Sequence, residues 1–342
     1  MLSRRTVLGG LGAAATLPAL PRVATAQAAA AIAPAIPGIA DRVNSFLSVL
    51  APEKAAAARF PLDSGVWRGW NYFGNNLVKP GIRFEEMEPA EQDSGTELLV
   101  AMLSPAGFDR VQLVRALQDV LAAQGIGPAD RNSNRYSLSI FDEPAADAIW
   151  GLRLEGHHLE LTLTLRGDEV VSVTPSSFSC NPNDVPTGPY AGQVAVRVEE
   201  EAARALFADL SAEQQRVALI SADPILNIRA VSGQEGYYAD RAGLAAADMT
   251  TTQQDLLWQV VRAHGVEHWP DAVGAANWDR LRSGDQAAVH FAWAGGNEDG
   301  TRLYYRLHGD TFLIELAAVD PAAQHLHTIY HDTERTLGRH VL

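Results

Sequence analysis

Apolar residues Ile39, Val43, Phe46, Leu47 and Leu50 recur at the spacing of one helix face, as do Val111, Leu113, Val114, Leu117 and Leu121 farther along. The pattern predicts a helical N-terminal region, with helices over 97–103 and 108–123, the second stopped at Gly125-Ile126-Gly127-Pro128. The period then drops from 3.6 to 2. Tyr136, Leu138 and Ile140 alternate with Ser137 and Ser139, and Trp150, Leu152 and Leu154 alternate with Gly151, Arg153 and Glu155, as in half-buried strands. The apolar set falls on even numbers up to Leu154 and on odd numbers from Leu159 through Leu165. The change comes at Gly156-His157-His158, where a one-residue β-bulge would restore the register, glycine taking most easily the backbone angles it needs.

Arg166-Gly167-Asp168-Glu169 matches a two-residue hairpin turn. Helical patterns resume over 199–209, over 212–220 behind a Ser211/Gln214 capping box, and over 253–263. A meander follows over 287–293, 303–307 and 311–316, with turns at Asp299-Gly300 and Gly309-Asp310, and 324–331 could add a fourth strand. The order helices, strands, helices, strands, without regular alternation, predicts an α+β fold: a mainly antiparallel sheet with helices packed on it, in one large domain over 39–342. No internal repeat of fixed period reads in the chain.

Ser3-Arg4-Arg5-Thr6 ahead of a Gly- and Ala-rich apolar run, with Ala24-Thr25-Ala26 as a cleavage site, predicts a twin-arginine signal peptide over 1–26, followed by an Ala/Pro-rich tether over 27–38. The expected partners are then the twin-arginine export machinery during translocation and a small-molecule or short polymer substrate, with a periplasmic or secreted location. No later apolar run is long enough for membrane insertion. The whole chain carries 27 basic and 41 acidic residues, a net charge of −14. Loss of Arg4, Arg5 and Arg22, with no acid in that stretch, leaves 24 against 41, or −17, which argues against nucleic acid as a partner. Cys180 stands alone, so no intramolecular disulfide forms and stability rests on the core.

Five of the ten histidines lie in Glu155-Gly-His-His-Leu-Glu160 and Gln324-His-Leu-His-Thr-Ile-Tyr-His331. In an extended strand His325 and His327 project from one face about 7 Å apart, close enough to share an ion. His157 or His158 is the natural third ligand. His331 is roughly 13 Å farther along and falls outside that set. The bland alternative is hydrogen-bonded histidines at a sheet margin. Neutral imidazoles suit a divalent metal ion, zinc first, with copper or iron as alternatives. Glu315, closing the apolar run Phe312-Leu-Ile-Glu315, is the first candidate for a catalytic carboxylate, with Tyr304 expected opposite it and Arg306 diagonal. An Arg306 salt bridge is its structural alternative, and Glu155 is the second candidate. The aromatics of Trp67-Arg-Gly-Trp70-Asn-Tyr72-Phe73 read as a packing corner or as substrate contacts, and Cys180 as a small buried residue.

The stretch from Tyr136 through Trp150-Gly-Leu-Arg-Leu-Glu-Gly-His-His158 to Val173-Thr-Pro175, with Glu199-Glu-Glu201, Leu210-Ser-Ala-Glu-Gln-Gln-Arg216 and the ending Leu313-Ile-Glu315 through His327, resembles the bacterial family catalogued as domain of unknown function 3500. The resemblance brings no activity; it implies only that both histidine segments belong to one domain. Together these features predict an exported metal-dependent enzyme, a hydrolase using a histidine-ligated ion with Glu315 or Glu155 as base. A copper or iron redox enzyme and a non-catalytic periplasmic ligand-binding protein are the alternatives.

Overall fold

The computed structural model describes residues 34–74, 79–234 and 240–342. The signal peptide expected over 1–26 lies outside them, as does most of the tether. The tether's last residues belong to the fold: Ile36 is buried, Ala35 bridges to Glu169, and the Asp168 carboxylate accepts from the Gly38 and Ala40 amides. The domain therefore begins before Ile39, because the hairpin at Gly167-Asp168 gives the incoming chain a place to dock. No helix among the described residues is long and apolar enough to cross a membrane.

The chain runs through α1 (Ile39–Val49), α2 (Pro52–Ala57), β1 (Arg59–Phe60), α3 (Gly65–Arg68), β2 (Ile82–Arg83), α4 (Pro89–Met102), α5 (Pro105–Ala123), β3 (Tyr136–Phe141), β4 (Ile149–Gly156), β5 (Leu159–Arg166), β6 (Glu169–Ser172) and β7 (Ser176–Phe178). A second half follows: α6 (Arg197–Asp209), α7 (Ala212–Ala218), β8 (Leu219–Ser221), β9 (Leu244–Ala245), α8 (Thr251–Gly265), α9 (Asp271–Leu281), β10 (His290–Gly295), β11 (Leu303–His308), β12 (Phe312–Ala318) and β13 (Leu326–Asp332). All thirteen strands join one mostly antiparallel sheet, so the expected α+β class holds. The Ser211/Gln214 capping box forms, but α7 ends at Ala218, and Leu219–Ser221 forms an edge strand, paired through Leu219 and Ser221, instead of extending the helix.

Gly156 pairs with Leu159, so His157-His158 is a two-residue hairpin turn between β4 and β5, not a bulge within one strand. The parity change has a simple cause. Across such a hairpin Leu154 faces Leu161 and Leu152 faces Leu163, so residues sharing a face switch from even to odd numbers. The expected four-strand meander forms from β10 to β13, with Arg306 directly opposite Glu315 and Tyr304 opposite Ala317. This corrects the register expected for Glu315.

The strand order β1-β3-β4-β5-β7-β13-β12-β11-β10-β8 reads the same from both ends when the halves are exchanged. Edge strands β1 and β8 each pair parallel to the first strand of a meander, and β2 and β9 pair antiparallel to it. Details repeat as well. Gln92 Nε2 donates to the carbonyls of Phe84 and Met87, and Gln254 Nε2 to those of Ala246 and Met249. Gly81 and Gly243 have φ of 96° and 97°. The chain is an internal duplication whose halves meet at the β7–β13 seam.

One sheet face is apolar and packs on the helices, as with Leu154, Leu161, Trp293 and Ile314 against Phe46, Leu99, Leu206 and Val260. The other face carries Ser137, Ser139, Arg153, Glu155, Glu160, Thr162, Ser177, Ser179 and Glu315, all buried. It is covered by the long loop after β1 in one half and the corresponding loop after β8 in the other, through Trp67, Trp70 and Tyr72 and through Ile228 and Ala230. The aromatics at 67–72 are thus packing residues.

On the helix side Arg110 lies 3.3 Å from Glu199 and His268 3.9 Å from it, while His264 Nε2 is 2.7 Å from the Tyr305 hydroxyl, which donates to the Glu199 carbonyl. Burial pushes His264 down to about 4 and His268 to about 3, against the partial pull of Glu199. A base whose folded pKa lies below its unfolded one keeps its full contribution above about pH 6.5 and loses it as pH falls through that window. Stability measured by urea unfolding is therefore expected to drop between pH 6.5 and 4, by on the order of 3 kcal/mol from His264, and His264→Gln should flatten that slope; equal slopes would refute the assignment. The duplicated glycines give a second test. A Cβ at Gly81 would lie 2.4 Å from the Leu138 carbonyl oxygen and one at Gly243 2.1 Å from that of Phe291, so alanine at either is expected to cost about 2 kcal/mol or more in the same measurement.

Candidate metal centre

The β4–β5 hairpin tip is fastened from several sides. The His158 amide donates to the Tyr72 carbonyl, the His158 carbonyl accepts from the Ser179 amide, and the Tyr136 hydroxyl donates to the His157 carbonyl at 2.7 Å. Gly156 is required beneath it, because a Cβ there would lie 2.2 Å from the Tyr136 ring. His158 holds φ 69°, a left-handed conformation that a β-carbon disfavours and the turn imposes. Opposite, the Asp320 carboxylate accepts from the amides of Gln324 and His325 and so shapes the entry to β13. Leu326 bridges to Cys180, next to the Ser179 that holds the hairpin.

These supports bring the two histidine segments together. His325 Nε2 lies 2.9 Å from His158 Nε2 and 3.0 Å from His327 Nε2, and the His158 and His327 ring centres are 5.3 Å apart. The ligand-capable nitrogens of His157, His158 and His325 all lie within 4.8 Å of one another. A cluster of His157, His158 and His325 could therefore hold a metal ion. His331 stands outside it, bonded to the Ala230 carbonyl and to Thr336, as its position on the strand predicts.

Hydrogen bonds settle which way two of the rings present themselves. Asn227 Oδ1 accepts from the Ile228 amide, which identifies it as oxygen, so the 2.8 Å contact with His327 Nδ1 makes that nitrogen the donor. His327 Nε2 then turns a lone pair toward His325. For His157 the guanidinium of Arg131, 2.6 Å from Nδ1, is the donor, so Nδ1 carries the lone pair; Gln118 Oε1, which accepts from the same Arg131 Nη1, lies 2.8 Å from that nitrogen. The Nε2 edge of His157 faces Gly74, where a Cβ would sit 2.5 Å from it. His157 stacks on His158 at 3.6 Å between ring centres.

All four imidazoles are held neutral. Burial, then Arg131, pushes His157 to about 2; burial, then His325, pushes His327 to about 3; burial leads the lowering of His158 and His325 as well. Neutral rings are what a metal requires of its ligands.

Glu155, Glu160 and Glu315 each have partners of their own. Glu155 faces Glu160 across the hairpin, both fully buried. Arg153, also buried, lies 3.1 Å from Glu160 and donates to Thr162 and to the Val66 and Trp67 carbonyls. Glu155 accepts from the Asn71 amide through Oε2, while its Oε1 has no partner among the described residues. Burial pushes Lys79, bonded to Asn71, down to about 8, against the pull of Glu155 and Glu160. Glu315 accepts from the Tyr304 hydroxyl at 2.7 Å and from the Arg229 and Ala230 amides. None of these partners is a histidine of the cluster; Glu315 anchors the loop that carries Asn227. Cys180 is fully buried, its thiol pushed up by burial.

Family membership adds one fact. Residues 33–338 match the family described as "Protein of unknown function (DUF3500)". The chain belongs to the DUF3500 family. No curated protein and no solved structure matches it. In this DUF3500 member both histidine segments lie in the matched region, as the resemblance implied. Asn227, Asp320, Gln118 and Arg131 carry no local motif, and sequence reading passes over them.

Removing Arg153 leaves Glu160 buried without its ion pair. Arg153→Met is expected to cost about 3–5 kcal/mol in chemical unfolding, and Glu160→Gln in the same chain should restore a good part of it. A double variant as unstable as the single one would mean that the loop carbonyls, not the ion pair, carry the cost.

Proposed function

We propose that this protein is a metal-dependent enzyme in which His158, His325 and His327 hold a divalent ion, and that its chemistry is hydrolytic. The close approach of His325 Nε2 to an imidazole nitrogen on either side, His158 Nε2 and His327 Nε2, carries the reading. One ring nitrogen has a single in-plane site, either a proton or a lone pair, so His325 Nε2 cannot make two good hydrogen bonds to neighbours at 2.9 and 3.0 Å. A shared cation would satisfy all three, with nitrogens about 2.0–2.1 Å from it and so roughly 3.3 Å from one another, a few tenths of an ångström wider than His325 Nε2 stands from each of the other two. The Asn227 contact on His327 is the kind of outer hydrogen bond that orients a metal ligand. His157 is less suited as third ligand, because its lone pair is engaged by Arg131.

Three imidazoles and an open position favour zinc, since thiolate and thioether ligands, which select copper(I), do not join the cluster among the described residues. An ion so held lowers the pKa of a water that shares it and polarises a substrate oxygen. Glu155, with a buried oxygen still open, is the proposed base, and Glu315 is a positioning residue acting through Asn227. Copper or iron on the same ligands, with redox chemistry, is what metal analysis would substitute. Export by the twin-arginine route, with the ion acquired before crossing, and a small-molecule or short polymer substrate complete the proposal.

Purified protein should carry about one ion per chain by plasma mass spectrometry. His158→Ala and His327→Ala should lose it, and Asn227→Leu should weaken it 10–100-fold. Folded wild-type chain that retains no zinc, cobalt, copper or iron above background when each is supplied at stoichiometry would overturn the reading.

A further inference from the structure

The far side of His157 is the wall of a second feature. Lys79, Gln118, Arg131, Arg135, Tyr136 and His157 line a cleft enclosing about 430 Å³ including its open mouth. Arg135 is paired with Asp130 and Glu85. The other two cations have no carboxylate in contact among the described residues. Arg131 spends Nη1 on Gln118 and His157, and its Nε is buried without a partner. Lys79, 7 % exposed, bonds the two oxygens of Asn71. Glu155 and Glu160 act on Lys79 without touching it, so the cleft presents a guanidinium and an ammonium with no carboxylate in contact among the described residues. A guanidinium fork and a point ammonium together match an oxyanion.

We infer that this cleft binds the oxyanion of the substrate, a carboxylate or phosphate group, and holds it one imidazole away from the ion. The assignment deepens the metal reading and rests on it for the distance to the reaction: His157 forms the cleft wall and stacks at 3.6 Å on His158, a proposed ligand. A substrate with its anion on Arg131 and Lys79 would present a bond only a few atoms away to the open position on the ion. One guanidinium and one ammonium match a single oxyanion, so the substrate class is a small organic acid derivative or a phosphate monoester.

Inorganic phosphate and oxalate, titrated by calorimetry into the full chain stripped of metal at low ionic strength, test this, with sodium chloride as the control for charge alone. One or both oxyanions should bind one to one. Phosphate alone points to a phosphate ester, oxalate alone to a carboxylate, and both to a site that reads the shared geometry. Arg131→Gln and Lys79→Met should each weaken binding at least tenfold without changing ion content, and Arg131→Lys, which keeps charge but not the fork, should fall between. If Arg131→Gln does not fold, Arg131→Lys and Lys79→Met carry the comparison. Oxyanions binding no better than chloride, or variants binding like wild type, would overturn the assignment. Oxyanion binding in a protein that holds no ion would sink the metal reading and leave the cleft in place.

Discussion

A sheet face lined with serine, threonine, arginine and glutamate is buried here as completely as the apolar face behind it. Burying such groups is unfavourable unless each finds a partner, and a loop laid over them brings its own peptide groups that need partners too. The two needs answer each other. In the first half Arg153 donates to the carbonyls of Val66 and Trp67; in the second Glu315 accepts from the amides of Arg229 and Ala230. Arg153 and Arg306 occupy equivalent places in the two meanders, opposite Thr162 and Glu315. One architecture thus pins one loop by its carbonyls and the other by its N–H groups.

The candidate centre depends on this pinning. Tyr72, on the first loop, takes the His158 amide, and Asn227, on the second, takes the His327 proton. The histidines come from the tip of the first half's hairpin and from the entry to the second half's last strand, which meet beside the β7–β13 seam. Duplication alone would place two such sites in the chain. The equivalent hairpin tip of the second half reads Gly309-Asp310-Thr311-Phe312, with no histidine, so the candidate centre is not repeated there.

The electrostatics of the cluster are set by neutral rings, not by charge balance. An ion held as proposed would keep its full charge on three neutral imidazoles, with Arg131 and Lys79 on the far side of His157. Positive charge on the cleft side of His157 suits the anionic guest proposed for it.

Periodicity is a local property, and what it could fix was legible: the helices around Phe46 and Leu117, the strands around Leu138, Leu152 and Ile314, the α+β class and the shared face of His325 and His327. Even the parity change at Gly156 was visible, but a bulge and a two-residue hairpin both produce it, and only pairing across strands distinguishes them. The duplication escaped because the spacing between equivalents shifts along the chain and few residues are retained. The sequence by itself determined which residue types could bind an ion and that both segments lie in one domain. Tertiary structure decided that His158 turns inward while His157 faces Arg131, that Asn227 sets the proton on His327, and that Glu315 holds a loop. Those choices depend on contacts between residues 26 to 167 positions apart, which no local pattern encodes.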